Sequence, residues 1–349
     1  MPLKWSKVVS KPSHAHSQSI HHKPSCLRLS SSASSSSSTI VSNATPVNLS
    51  YTAFHDTTNT NTNNKQTEAR SIVFLHGLLG NKRNFATLAT SLAQIFPSDH
   101  IYSVDLRNHG HVHNFDDSTP MTYRAMAHDI HHWGNEVVDL HAQSSSVTLI
   151  GHSMGGKVAQ AVALLYPEWV QGLVVLDMAP VAYCPEEDAH WKAVCDVIHL
   201  LHDSTSASSA LPESKRELDR LLRPGIPDPA LRAFCLTNWN ERQRTWNVNL
   251  PVIAQHLDVL AGFDLSDDSG NAMNDDDDDD AASTPLQYTG DTLLIHGGQS
   301  RFVRHAYLPT IQSYFPNHML TTIRGAGHWL HAEKPEDCLS LLQQYLERK

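Results

Sequence analysis

Ser153 sits in the string Val147-Thr148-Leu149-Ile150-Gly151-His152-Ser153-Met154-Gly155-Gly156-Lys157, an apolar run that breaks into G-x-S-x-G and continues into a helix-forming segment. A serine hydroxyl attacks poorly until a base takes its proton and N–H donors face the attacked carbonyl. A sharp turn from strand to helix allows both, and the motif is a nucleophile elbow. Gly151 and Gly155 fall where backbone must pass close to backbone and a Cβ would clash. His152 fills the variable place, and the helix that follows aims its positive end back at Ser153.

A second glycine loop, His76-Gly77-Leu78-Leu79-Gly80, ends the apolar run Ser71 to Leu75. Open α/β sheets place ligand contacts at the carboxyl ends of central strands. There the N–H of Leu78 would lie beside that of Met154, a pair of donors for an oxyanion. His328 lies in Arg324-Gly325-Ala326-Gly327-His328-Trp329, a glycine loop able to bring an imidazole over the sheet edge as general base.

A third group must orient that imidazole, and five acids compete: Asp105, Asp177, Asp258, Asp264 and Asp291. The carboxylate has to leave the carboxyl end of a strand near the elbow strand. Asp291 begins its strand, and Asp258 and Asp264 belong in or just after a helix. Asp105 ends a strand but precedes Arg107, a spacing that suits a local ion pair. Asp177 ends the strand after the elbow helix and is the expected acid. The alternating His109, His111 and His113 invite a zinc reading, but the Asp-His companion that such sites use is missing nearby. A solvated loop is expected there, and no metal.

The elements that position these groups alternate between strand and helix. Apolar runs at Ser71 to Leu75, Ile101 to Asp105, Val147 to Ile150, Gly172 to Asp177, Asp291 to Ile295 and Met319 to Ile323 read as buried strands. Helical patterns fall at Asn84 to Phe96, Met121 to His141 and Pro335 to Leu346. The class is α/β, with a mostly parallel central sheet and helices on both faces. From Val181 to Phe263 the strand signal vanishes, and helices are expected at Asp188 to His202, Pro212 to Arg223, Asp228 to Arg242 and Leu250 to Phe263. This segment reads as a helical cap inserted after the strand ending at Asp177. Its bulky residues, among them Trp191, Phe234, Trp239 and Trp246, exceed what cap packing alone requires, so some should face a substrate cleft.

Composition sets the remaining bounds. Within 349 residues the expected order is a leader at 1–55, core at 56–180, cap at 181–263, an acidic loop at 264–285 and core again at 286–349. The leader is rich in Ser and His, carries Lys4, Lys7, Lys11, Lys23 and Arg28, and has no acid before Asp56. That is the composition of a transit peptide, with the serine run Ser30 to Ser38 favouring a chloroplast address over a mitochondrion. The formal charge of −10 argues against nucleic acid as a partner. The run Asp275 to Asp280, with Asp267 and Asp268, lacks the ligand spacing and turn glycine of a calcium loop and reads as solvated. No stretch reaches the roughly 18 uncharged apolar residues of a membrane span. The five cysteines are unevenly spaced without C-x-x-C and read as reduced thiols.

In chain order the expected groups are a backbone donor (Leu78), a nucleophile (Ser153), an acid (Asp177) and a base (His328). With the strings H-G-L-L-G-N, D-L-R-N-H-G, G-H-S-M-G-G-K, L-D-M-A-P and A-G-H-W-L-H-A-E-K-P, the chain resembles the alpha/beta hydrolases, in particular the esterases of the alpha/beta-hydrolase domain-containing protein 11 group and their bacterial relatives. The resemblance spans about residues 70 to 347. It implies serine-dependent hydrolysis of a small-molecule ester or acyl thioester without a cofactor. One departure stands out: most such hydrolases carry their acid in a G-x-x-D stretch after the strand Asp291 to Ile295, where this chain has Gly297-Gly298-Gln299-Ser300. A ligand-sensing protein on the same fold, and C–C bond hydrolysis or acyl transfer by the same serine, remain as alternatives. Haloalkane and epoxide hydrolysis would place Asp, not Ser, at the elbow.

Overall fold

The computed structural model describes residues 46–54, 69–110, 120–138, 146–206, 211–266 and 286–349. Residues 1–45, which carry most of the expected leader, lie outside the described residues, as do His111, His113 and the aspartate run of the acidic loop.

Seven strands form one sheet in the order β1-β3-β2-β4-β5-β8-β9. They are β1 (Tyr51–Ala53), β2 (Ser71–Leu75), β3 (His100–Val104), β4 (Val147–His152), β5 (Val170–Leu176), β8 (Asp291–Gly297) and β9 (His318–Ile323), and all pairs are parallel except β1 with β3. Parallel strands need crossover helices on both faces, so every central strand is buried on two sides and reads as an unbroken apolar run. β2 shows the result: Ile72 and Phe74 enter one core with Leu88 and Leu92 of α1 (Ala86–Ile95) and Leu342 and Tyr345 of α11 (Pro335–Leu346). Val73 and Leu75 enter the opposite core with Ile130 of α2 (Tyr123–Val137) and Val158 and Val162 of α3 (Met154–Leu165).

Between β5 and β8 lie α4 (Ala189–Ser206), α5 (Lys215–Leu222), α6 (Pro229–Leu236), a two-stranded hairpin of β6 (Trp239–Asn240) and β7 (Thr245–Trp246), α7 (Leu250–Gln255) and α8 (Leu257–Ala261). Two short helices, α9 (Leu308–Tyr314) and α10 (Leu330–Glu333), complete the fold. Among the described residues no helix is long and apolar enough to cross a membrane.

Three sequence expectations are corrected. The helix expected to run from Asp228 to Arg242 stops at Leu236, and the chain turns into the hairpin. The Thr237 hydroxyl caps Phe234 O at 2.6 Å, Trp239 meets Trp246 edge-on with ring centroids 5.2 Å apart, and the Asn240 carboxamide accepts from the Arg242 and Gln243 amides in the turn. These pairwise contacts have no signature in helical periodicity. Residues 46–54, expected within the leader, instead join the core: β1 pairs with β3 and Leu49 is buried. Finally, Asp105 and Arg107 do not pair with each other. Asp105 accepts from Ser50 Oγ (2.7 Å) and Lys82 Nζ (2.9 Å), whereas Arg107 reaches Asp129 of α2 at 2.5 Å, both partners buried.

Candidate active site

β4 ends at His152 and α3 begins at Met154, so Ser153 alone makes the turn, with φ 53° and ψ −121°. A non-glycine residue in that region is strained, and the surroundings must hold it there. Both glycines of the motif are required by close approach. A Cβ on Gly151 would stand 2.2 Å from Gly155 O, and one on Gly155 would stand 2.3 Å from Leu75 O. The Ser153 amide donates to Leu176 O at 3.1 Å, tying the turn to β5.

His328 Nε2 lies 3.0 Å from Ser153 Oγ, and His328 Nδ1 lies 2.7 Å from Asp177 Oδ2. A carboxylate can only accept, so Nδ1 carries the proton and Nε2 offers its lone pair to the serine hydroxyl. Asp177 directly follows β5, is fully buried and also adopts a left-handed φ of 55°. Its Oδ1 accepts from the Gly297 amide at 3.0 Å and its Oδ2 from Ser300 Oγ. Ser300, standing where a charged acid was the expected pattern, thus serves the acid of β5 with a hydroxyl. The rejected acids lie elsewhere: Asp291 opens β8 and pairs with Lys349, Asp258 is in α8, and Asp264 accepts from the amide and hydroxyl of Ser266.

The loop carrying His328 is tied down twice. Glu333 accepts from the amides of Gly327 (2.6 Å) and Trp329 (3.2 Å), and His152 Nε2 donates to His328 O at 2.9 Å. Burial holds the His152 imidazole well below its ordinary value, and the His331 and His328 rings reinforce this. Burial likewise pushes His331 down to about 4. The rings beside His328 are therefore neutral at neutral pH. His76 donates Nδ1–H to Gly77 O (2.8 Å) and accepts the Leu106 amide (3.0 Å), bracing the loop that holds Leu78.

Leu78 and Met154 flank Ser153 at the wall of one cavity of roughly 280 Å3. Met154 is the first residue of α3, so its N–H has no carbonyl four residues back within the helix. The cavity is lined mainly by apolar side chains, with Trp191, Val194, Val197 and Phe234 contributed from the segment between β5 and β8. Trp239 and Trp246 instead pack against each other. One cation enters the wall: Lys157 is buried, donates to Ala261 O (2.9 Å) and Gly262 O (2.6 Å), and lies over the Tyr123 and Tyr183 rings. Desolvation brings its amine well below the usual lysine value.

Where a solvated loop was expected, His109 is instead buried and bonded to backbone, donating Nδ1–H to Arg107 O at 2.9 Å and accepting the Leu79 amide at 3.1 Å. Both nitrogens are occupied, so it is a brace rather than a metal ligand. Among the described residues no cluster of His, Cys, Asp and Glu could hold a metal ion. Sequence reasoning missed the roles of Ser300, His109 and Asn238, which come from contacts between distant segments, and that of Glu333, which acts within its own loop. Only the string A-G-H-W-L-H-A-E carried a signal, since Glu333 lies close to His328 in it.

The alpha/beta hydrolase family profile matches residues 72–341, and the chain belongs to that family. Among its relatives, the sn-1-specific diacylglycerol lipase ABHD11 of Danio rerio is 32% identical over 308 residues, covering 87% of this chain and 84% of the relative. Esterase YbfF of Escherichia coli is 31% identical over 278 residues, covering 79% of this chain and 92% of that protein. Among solved structures, a marine microorganism esterase superposes with a TM-score of 0.67 at 27% identity, covering 86% of this chain and 98% of that one.

Proposed function

We propose that this protein is a serine hydrolase that cleaves the carboxylic ester or thioester of an acyl chain through an acyl-enzyme. The observation that carries the reading is the unbroken line Ser153 Oγ, His328 Nε2, His328 Nδ1 and Asp177 Oδ2, with steps of 3.0 Å and 2.7 Å, at the wall of an apolar cavity. His328 Nε2 takes the hydroxyl proton as Ser153 attacks the acyl carbon, and the buried Asp177 carboxylate stabilises the imidazolium. The N–H groups of Leu78 and Met154 receive the oxyanion. His328 then gives its proton to the departing alcohol or thiol, and water repeats the sequence to release the acid. Relatives named as a lipase and an esterase support ester chemistry. The apolar cavity wall favours an acyl chain over a charged acyl group.

A fluorophosphonate probe should label the wild-type chain covalently, and Ser153→Ala should abolish labelling. Full labelling of Ser153→Ala would place the nucleophile elsewhere. A panel of p-nitrophenyl and acyl-CoA esters then separates ester from thioester preference.

The Ser-rich, basic, acid-free stretch before Asp56 supports a chloroplast address, with mitochondrion second. A full-length fusion to a fluorescent protein should enter the organelle; a cytosolic signal would overturn this assignment.

A further inference from the structure

Leu79 is a bulky residue with φ 58°, in the third place of the turn Gly77-Leu78-Leu79-Gly80, which is closed by the Gly80 amide on Gly77 O at 2.9 Å. A type II turn has positive φ at its third residue, and glycine or asparagine normally takes that place. Leucine there costs conformational energy that neighbouring contacts must outweigh. Two buried side chains supply them. His109 Nε2 accepts the Leu79 amide at 3.1 Å, and Asn238 Nδ2 donates to Leu79 O at 2.6 Å. Both backbone polar groups of the strained residue are therefore engaged, one from each side.

The two holders come from different parts of the molecule. His109 follows β3, and its Nδ1–H on Arg107 O fixes the tautomer that leaves Nε2 free to accept. Burial pushes its imidazole down to about 3, with His76 adding to the shift, so the acceptor persists at any working pH. Asn238 joins α6 to the hairpin. Its amide donates to Cys235 O (3.1 Å) and its carbonyl accepts the Asn247 amide (2.7 Å), so the hairpin sets where its carboxamide points. The two parts also join beside this turn: Asn249 donates through its amide to Asn108 O (2.9 Å) and through Nδ2 to Asn108 Oδ1 (3.2 Å), and Val248 bridges to His109.

We propose that Asn238 and His109 are positioning residues that clamp Leu79 in its left-handed conformation and so hold the Leu78 N–H toward Ser153. The segment between β5 and β8 then completes the oxyanion turn as well as walling the cavity. The inference rests on the serine-hydrolase reading above. Without the clamp, Leu79 relaxes to negative φ; the turn can then stay closed on Gly77 O only by compensating rotations at Gly77 and Leu78, which swing the Gly77–Leu78 peptide and take the Leu78 N–H out of register.

The test uses the full chain with p-nitrophenyl butyrate as substrate and an alkyl trifluoromethyl ketone, whose adduct with serine carries an oxyanion. Removing an oxyanion donor outright costs roughly 10²- to 10³-fold in kcat, so displacing one by Asn238→Ala should cost about 10-fold or more, with KM within about twofold. Ketone affinity should fall by the same factor while fluorophosphonate labelling persists. In a Leu79→Gly background, where positive φ carries no strain, adding Asn238→Ala should cost less in kcat than it does in the wild type. His109→Gln, which keeps an acceptor, should retain more activity than His109→Leu, and this pair carries the same test should Asn238→Ala fail to fold. Unchanged kcat and ketone affinity in Asn238→Ala, or an equal kcat loss in the Leu79→Gly background, overturns the clamp alone. A wild-type chain that is neither labelled nor active on any ester overturns the hydrolase reading beneath it.

Discussion

Among the described residues no lysine or arginine touches the buried Asp177 carboxylate, which accepts from three donors: His328 Nδ1–H, the Gly297 amide and the Ser300 hydroxyl. A buried charge persists when every lone pair facing the protein is served. Asp177→Asn breaks that logic with almost no change in shape. The amide nitrogen meets donors, and an amide donating to His328 Nδ1 selects the tautomer whose Nε2 already carries a proton and cannot accept one from Ser153. We expect a folded protein whose kcat falls by roughly 10²- to 10⁴-fold. The control is Asp105→Asn, which touches Ser50 and Lys82 and should lower the melting temperature rather than turnover. Near-normal kcat in Asp177→Asn, with a collapse in Asp105→Asn, would move the role of acid to Asp105. Ser153, His328 and Asp177 were readable in the chain because each is announced locally, by a strand that stops in a turn or in a glycine loop. Ser300, His109 and Asn238 were not, because each acts on a residue more than about two dozen positions away, and only the folded chain brings them there.

At the scale of elements, the least legible piece is β1. A three-residue strand following a polar, serine-rich stretch has too few positions for any alternation to register, yet it closes one edge of the sheet. Tyr51 packs edge-on against Trp133 at 5.5 Å and Tyr102 at 6.0 Å, Leu49 is buried, and the Val47 amide donates to Asp129 Oδ1 at 2.9 Å. That last bond feeds the carboxylate that holds Arg107, beside the loop of His109. The hairpin was misread for the opposite reason, since Trp239 follows Leu231 and Cys235 at helical spacing, while its true partner Trp246 lies beyond the expected helix. A chain beginning at residue 46 should melt with the full-length protein, whereas one beginning at Asp56 should melt several degrees lower. Exposing Leu49 alone costs about 1.5–3 kcal/mol, and each kcal/mol lowers Tm by roughly 2–4 °C in a domain of this order. Equal melting temperatures for the two chains would show that β1 contributes nothing to the fold. A chain beginning at Ser50 should fall between them, because it keeps the strand but loses Leu49 and the Val47–Asp129 bond.

Across the whole molecule, the buried histidines set how the fold answers acid. His76, His109, His152 and His331 all lie buried with their imidazoles pushed below the ordinary value of 6.5, chiefly by desolvation. Each therefore binds a proton more readily in the unfolded chain than in the folded one. Above pH 6.5 neither state is protonated and these groups leave stability unchanged. As the pH falls through 6.5 the unfolded chain gains protons first, and stability drops until the folded value is reached, about 4 for His331 and about 3 for His109. Within that window each group contributes a slope on the order of 1 kcal/mol per pH unit. The depressed carboxylate of Asp105 loses its contribution only below its ordinary value of 3.8, outside the range from pH 6.5 to 5. Urea unfolding should thus give a midpoint that falls more steeply between pH 6.5 and 5 than between 8 and 7, where the histidines are silent and the depressed Lys157 amine alone of these buried groups favours the unfolded chain. His331→Phe identifies the cause: the ring stays packed beside Phe85, where the imidazole now lies 4.9 Å away, but one proton site is gone. Its midpoint should fall less steeply than that of the wild type over the same range. Identical slopes would assign the acid sensitivity to groups other than His331.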